Sequence, residues 1–154
     1  MEKKYKVVIS GEEIDLVRPD GFEDDEDFWF YITLHDTDIV VGEIIYDDKY
    51  RDAEKYGNIG YSINDKYQGN AYAKKALKLL KQVLAGKKEK MIINVFEGNI
   101  ASYKTAINFG AKLVRKKTLP EKYVLDKNSW YSNSYFVFEY EIHKWVFNKL
   151  ELNH

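Results

Sequence analysis

Between Gly57 and Phe96 the chain spells a strand, a helix and a second strand in succession, and that order admits few architectures. The run "GNIGYSI" at 57–63 has the β-branched and aromatic character of a strand. From Ala73 the period changes. Ala73, Ala76, Leu77, Leu80, Val83 and Leu84 recur at helical intervals, while Lys74, Lys75, Lys78 and Lys81 fill the other face. Gly86 stops that helix, and "KMIINVF" at 90–96 returns to strand. Neighbouring strands joined by a helix run parallel, and the crossover between them is right-handed. The chain is therefore predicted to build a mixed sheet around this unit.

The flanking segments add antiparallel strands. "YKVVIS" and "EEIDLVRP", parted by Gly11, predict a hairpin or bent strand that ends at Pro19. The five acids of "EDDED" at 23–27 read as a solvated loop or a helix start. "FWFYITL" (28–34) and "IVVGEIIY" (39–46) predict an antiparallel hairpin that turns through "HDTD", with "DDKYRDAEKYG" as the polar connection that follows. A second helix is predicted over 99–109, with Asn99 as N-cap and Gly110 as its stop. "AKLVRKKTL" and "SYFVFEYEI" give two more strands around a long loop containing "DKNSWYSNS". In the tail "HKWVFNKLEL", the apolar residues Trp145, Val146 and Leu150 are consistent with a closing helix. The predicted fold class is mixed α+β: a mostly antiparallel twisted sheet of about six or seven strands, one parallel crossover, and helices on both faces.

Composition narrows the chemistry. The 154 residues, 45% hydrophobic and 16% aromatic, suffice for a single domain over 1–154 with no linker or repeat. The absence of cysteine excludes disulfides, thiolate zinc sites and cysteine nucleophiles. His35, His143 and His154 lack metal-ligand spacing, so no metal is expected. The opening "MEKKYKVVIS" has no signal-peptide core and no window approaches a membrane span, which predicts a cytoplasmic protein without a membrane partner. The net charge of −1 conceals a division: 15 acidic against 5 basic residues over 1–50, and 10 against 19 over 51–154. Such asymmetry can bring ligands of opposite sign to neighbouring surfaces. Solvated surface charge accounts for it equally well.

The junction "NDKYQGNAYAKKALKLL" at 64–80 poses the functional question. Small residues at a strand-to-helix turn let backbone approach a ligand, and the free N–H groups of a first helical turn favour an anion. A pyrophosphate would fit between Gly69 and Lys74, with Lys74 and Lys75 adding charge. A turn shaped by Gly69, with Ala71 and Ala73 packing the helix, explains the same residues without a ligand. The stretch is neither a P-loop nor a dinucleotide fingerprint. It does resemble the strand and acetyl-CoA loop of the GNAT superfamily of N-acetyltransferases, whose [RQ]xxGx[GA] signature is occupied here by Gln68, Gly69, Asn70, Ala71, Tyr72 and Ala73. Further on, "NIASYKTAINFGAKL" resembles the second motif in the NxxSxxxxxxxG form of the RimJ/RimL-like branch, through Asn99, Ser102 and Gly110. "IDLVRP" is similar to that branch's first strand, so the likeness runs from Ile14 to Ile142. Two departures stand out: Ala71 replaces the loop's central glycine, and the two helices that usually wall the acceptor site have only Pro19 to Asp27 available. The acceptor cleft is therefore expected to be open, or completed by another subunit in a homodimer.

The resemblance implies transfer of acetyl from acetyl-CoA, a co-substrate, straight to a primary amine. It assigns the pantetheine arm to the backbone of Tyr61, Ser62 and Ile63, and the pyrophosphate to the amides of Gly69 to Lys74. An amide near Ile63 would receive the oxyanion. Ser102 would assist the leaving thiolate, with Tyr103 adjacent, since the tyrosine many members use corresponds to Ala106 here. Asn99 reads both as N-cap and as partner of the cofactor arm. Glu43 and Glu97 are the carboxylates expected to take a proton from the amine, against an ordinary paired or exposed role for each. Trp29, Tyr31, Trp130 and Tyr131 are candidates for lining the acceptor site, or for core. The acidic first half favours a cationic acceptor: a polyamine, a peptide N-terminus or an aminoglycoside-like compound. A non-catalytic module that binds coenzyme A or a protein is the alternative. Nucleic acid is not expected on the lysine face, because its helix start would hold the cofactor and the acidic half repels phosphate.

Overall fold

Residues 4–21, 28–47, 58–118 and 134–142 are described by the computed structural model, and in them eight strands form one sheet with two helices. The strands are β1 (Tyr5–Ser10), β2 (Ile14–Pro19), β3 (Phe28–Leu34), β4 (Val40–Asp47), β5 (Asn58–Ile63), β6 (Lys90–Phe96), β7 (Lys112–Thr118) and β8 (Ser134–Glu141). Helix α1 spans Tyr72–Leu84 and α2 spans Ile100–Phe109. The sheet order is β1-β2-β3-β4-β5-β6-β8-β7, antiparallel throughout except for the pairing of β5 with β6. The expected mostly antiparallel sheet with its one parallel crossover is thus present, with one strand more than the upper expected number, while the two described helices lie on one face rather than on both.

Hydrophobic burial explains why the helices sit where they do. On α1 the leucine stripe is fully inside: Leu77, Leu80 and Leu84 are each 0% exposed, packed with Phe30, Ile44, Met91 and Ile93 of the sheet. Full burial of such a side chain contributes about 1.5–3 kcal/mol, so this stripe, with no cap at the helix start, holds α1. Leu79 reaches the β1–β2 turn, where a Cβ on Gly11 would come within 3.3 Å of it. Helix α2 packs Tyr103 edge-on against Phe136 and Phe138 and stacks Phe109 on Tyr140 at 4.6 Å. Lys81 of α1 donates to the same Tyr140 hydroxyl at 3.1 Å. Both described helices therefore share one face. The other face buries Val17, Ile92 and Val137. The closing helix expected at the tail lies outside the described residues, as do "EDDED", the connection 48–57, the Ser129–Ser132 part of the long loop, and His143 and His154. Among the described residues no helix is long and apolar enough to cross a membrane.

Candidate functional site

β5 has two unlike neighbours. On one side it pairs with β4 continuously from Asn58↔Asp47 to Ile63↔Gly42. On the other, among the described residues, it pairs with β6 only at Asn58↔Ile92 and Ile59↔Ile93. β6 meanwhile stays with β8 as far as Phe96↔Tyr135. The strands therefore part after Ile59 and leave a wedge between residues 60–63 and 94–96. At its vertex Asn94 Nδ2 donates to Asn58 Oδ1 at 3.1 Å.

Strand geometry dictates which groups face the wedge. In an antiparallel ladder backbone groups point alternately toward and away from the partner. Asn64 N–H donates to Val41 C=O at 2.8 Å, so Ser62 and Gly60 also turn to β4. Tyr61 and Ile63 then turn their amides and carbonyls to the wedge. Ser62, grouped with them in the sequence reading, turns its backbone to β4. The close approach on that side needs glycine: a Cβ on Gly42 would meet the Ser62 carbonyl oxygen at 2.2 Å.

Beyond Ile63 the chain makes one 3-10 turn, Asp65–Tyr67, and enters α1 through the expected loop. Gln68 Nε2 donates to the Ile63 carbonyl and to Asp65 Oδ1, each at 3.2 Å, and Asn70 Nδ2 donates to the Tyr67 carbonyl at 3.0 Å. These two side chains thus brace the loop itself. Gly69 has φ +89° and Ala71 has φ 59°, ψ 27°, so the alanine adopts the left-handed conformation that glycine favours. Ala71 provides no side-chain cap, and among the described residues nothing accepts from the amides of Gly69 to Lys74. Lys75 is drawn back to the Asn70 carbonyl at 3.1 Å and forms an ion pair with Glu13 of the β1–β2 turn. Lys74 has no such partner among the described residues. A row of free amides with a lysine beside it is chemically an anion receptor.

The other wall is the start of α2. The Asn99 side chain accepts from Ser102 N–H at 3.2 Å, as an N-cap should. Tyr61 reaches across from β5, its phenol 3.4 Å from the Ser102 carbonyl. Burial pushes the Tyr61 phenol above its usual range, against a smaller opposing pull from the Ser102 side chain. Tyr103 is half-buried between Phe136 and Phe138, a packing position. Glu97 is engaged with Lys116 of β7 at 3.1 Å. On the face away from the helices, Tyr31, Glu43 and Ser62 stand directly opposite one another across β3, β4 and β5. Glu43 is exposed there, and Trp29 meets Tyr31 edge-on at 4.7 Å between ring centres. Trp130 and Tyr131 lie outside the described residues.

Three contacts were invisible to spacing. Glu13–Lys75 and Tyr61–Ser102 join residues far apart in sequence, and no periodicity announces them. The third is Asp15, which is 1% exposed yet ionised: its carboxylate accepts from Gly11 N–H at 3.3 Å and Asp36 N–H at 2.9 Å, with His35 Nδ1 at 2.9 Å. Burial alone would raise it, but Asp36, His35 and Ser10 together hold it below the usual carboxylate range. Among the described residues no three of His, Asp and Glu gather as metal ligands would.

Comparison with known proteins adds an independent line. Residues 11–112 match the family model described as "Acetyltransferase (GNAT) domain". Among solved structures, an acetyltransferase (GNAT family) from Bacillus anthracis is similar at 24% identity, TM-score 0.59, over 74% of this chain and 66% of that one. A ribosomal-protein-S5-alanine acetyltransferase from Vibrio fischeri is similar at 18% identity, TM-score 0.62, over 77% and 63%. A putative acetyltransferase from Salmonella typhimurium, solved with its cofactor acetyl-CoA, is similar at 13% identity, TM-score 0.60, over 75% and 66%. The chain thus spans somewhat under two thirds of the length of each, and these likenesses speak to the fold. No curated protein matches it.

Proposed function

We propose that this chain, which belongs to the acetyltransferase (GNAT) family, moves an acetyl group from acetyl-coenzyme A to a primary amine by direct attack in a ternary complex. One observation carries the reading. Among the described residues, β5 leaves β6 after Ile59, so the Tyr61 and Ile63 edge has no strand partner there, and it leads to a helix start whose amides from Gly69 to Lys74 have no acceptor. A long ligand with an amide-bearing arm and a diphosphate fits that pair of donor sets. The arm would add to the strand edge like a further strand, and the diphosphate would sit on the helix start beside Lys74. When bound, acetyl-CoA supplies an activated acyl group.

The chain's own residues would do the rest. The Ile63 amide is a preset donor for an oxygen that gains charge during attack. Ser102 offers a hydroxyl to the sulfur as the C–S bond breaks; a thiol near pKa ~8.5 needs only modest help. Asn99 holds the turn that carries Ser102. Of the two candidate carboxylates, Glu43 is favoured to take the amine proton, because Glu97 already faces Lys116. Trp29, Tyr31 and Glu43 would receive a cationic acceptor, in keeping with the excess of 15 acidic over 5 basic residues in 1–50. A polyamine or a peptide N-terminus suits that surface.

Titration calorimetry with acetyl-CoA, followed by coenzyme A release over a panel of amines, tests this. Micromolar binding with turnover that prefers cationic amines is expected. Binding without turnover would favour a non-catalytic coenzyme A module, a reading supported by the strained Ala71.

A further inference from the structure

Tyr61 contributes to both walls of the wedge at once. Its backbone lies on the free edge of β5, while its side chain packs against the core and reaches α2. There the phenol is 3.4 Å from the Ser102 carbonyl and neighbours the Ser102 side chain. That carbonyl, in the first turn of a helix, already has the amide four residues on as its ordinary partner. The phenol is therefore a second donor at the one turn that carries the candidate hydroxyl. Thr105, nearly a turn later, illustrates the default behaviour of a hydroxyl on this helix: its Oγ1 folds back on the Ala101 carbonyl at 2.9 Å. Burial favours the neutral phenol, so the donor proton stays in place through the range where amines are acetylated.

We propose that Tyr61 is a positioning residue whose phenol ties the first turn of α2 to β5 and so fixes the Ser102 hydroxyl against the strand edge. The proposal rests on the acetyl-transfer reading above. Removing a hydrogen bond of this kind, with the ring retained, costs a factor that should fall on the chemical step. The arm-binding groups of Tyr61 are backbone and survive substitution.

The test is steady-state kinetics of Tyr61→Phe with acetyl-CoA and the best amine of the panel. The expected result is kcat lower by roughly 5- to 10-fold, with KM for acetyl-CoA unchanged within about 2-fold. In a Ser102→Ala background the same change should have no further effect on kcat. Tyr61→4-aminophenylalanine, which restores a donor, should recover the rate. Should Tyr61→Phe not fold, Tyr61→4-methylphenylalanine fills the lost volume without a donor and is expected to show the same loss. An active wild type with an unaffected Phe or methyl variant, or with losses that multiply with Ser102→Ala, overturns the tie and leaves the acetyl-transfer reading standing. A wild type that neither binds acetyl-CoA nor turns over overturns both.

Discussion

The two helix starts are built from similar parts and end differently. Each follows a strand through a turn with a glycine at positive φ, Gly69 at +89° before α1 and Gly98 at +100° before α2. At α2 the Asn99 side chain then accepts from Ser102 N–H, and the end is satisfied by the chain itself. At α1 the corresponding residue is Ala71, left-handed and capless, and the amides behind it have no acceptor among the described residues. A non-glycine residue in that conformation costs on the order of 1–2 kcal/mol and persists only where its surroundings hold it. Here the surroundings are the loop's own hydrogen bonds from Gln68 and Asn70 on one side and the helix docked by its buried leucines on the other. A finished end serves the fold, whereas an unfinished one at the mouth of a strand wedge is suited to a ligand.

The comparison is broken most severely by finishing α1. Aspartate tolerates the left-handed region and brings a carboxylate to the N-cap. Ala71→Asp is expected to weaken acetyl-CoA binding about 100-fold, roughly 2.8 kcal/mol, while raising the melting temperature of the free protein. Calorimetry and thermal unfolding read the two effects separately. Unchanged affinity would mean that the α1 amides do not hold the diphosphate.

Asp15 is the molecule's own example of an anion on backbone amides, and it sharpens the contrast. Its folded pKa lies below the unfolded value of ~3.9, so the stability it adds is fully present above that pH and is lost as pH falls through the folded pKa. Asp15→Asn is expected to cost about 2 kcal/mol in urea unfolding at pH 7. The deficit should vanish in acid, because the wild type loses the same interactions there. A constant deficit at every pH would assign it to packing instead.

Much of this was legible in the chain because it is periodic or local. The leucine stripe of α1, the Asn99 cap, the Gly110 stop and the aromatic hairpin each announce themselves within one short, continuous stretch of chain. The wedge could be expected only through family likeness: no local pattern in "GNIGYSI" states that β5 abandons β6 after Ile59. Nor could spacing decide which of Tyr61, Ser62 and Ile63 faces it, since that follows from the register with β4. Glu97 illustrates the same limit, its partner Lys116 being supplied by a strand at the far edge of the sheet.

The smallest expected effect is also the most discriminating. Ala71→Gly removes the left-handed penalty of about 1–2 kcal/mol but adds about 0.5–1 kcal/mol of lost chain entropy, a net gain near 0.5 kcal/mol. For a domain of this size that is a rise of about 1–2 °C in melting temperature. Affinity for acetyl-CoA should improve by no more than about threefold, since the amides are already open. If the glycine variant binds equally well but turns over where the parent does not, the alanine has been restraining a catalyst. If it is destabilised by about 1 kcal/mol, Ala71 is not strained, and the open end of α1 owes its shape to the loop's own bonds from Gln68 and Asn70.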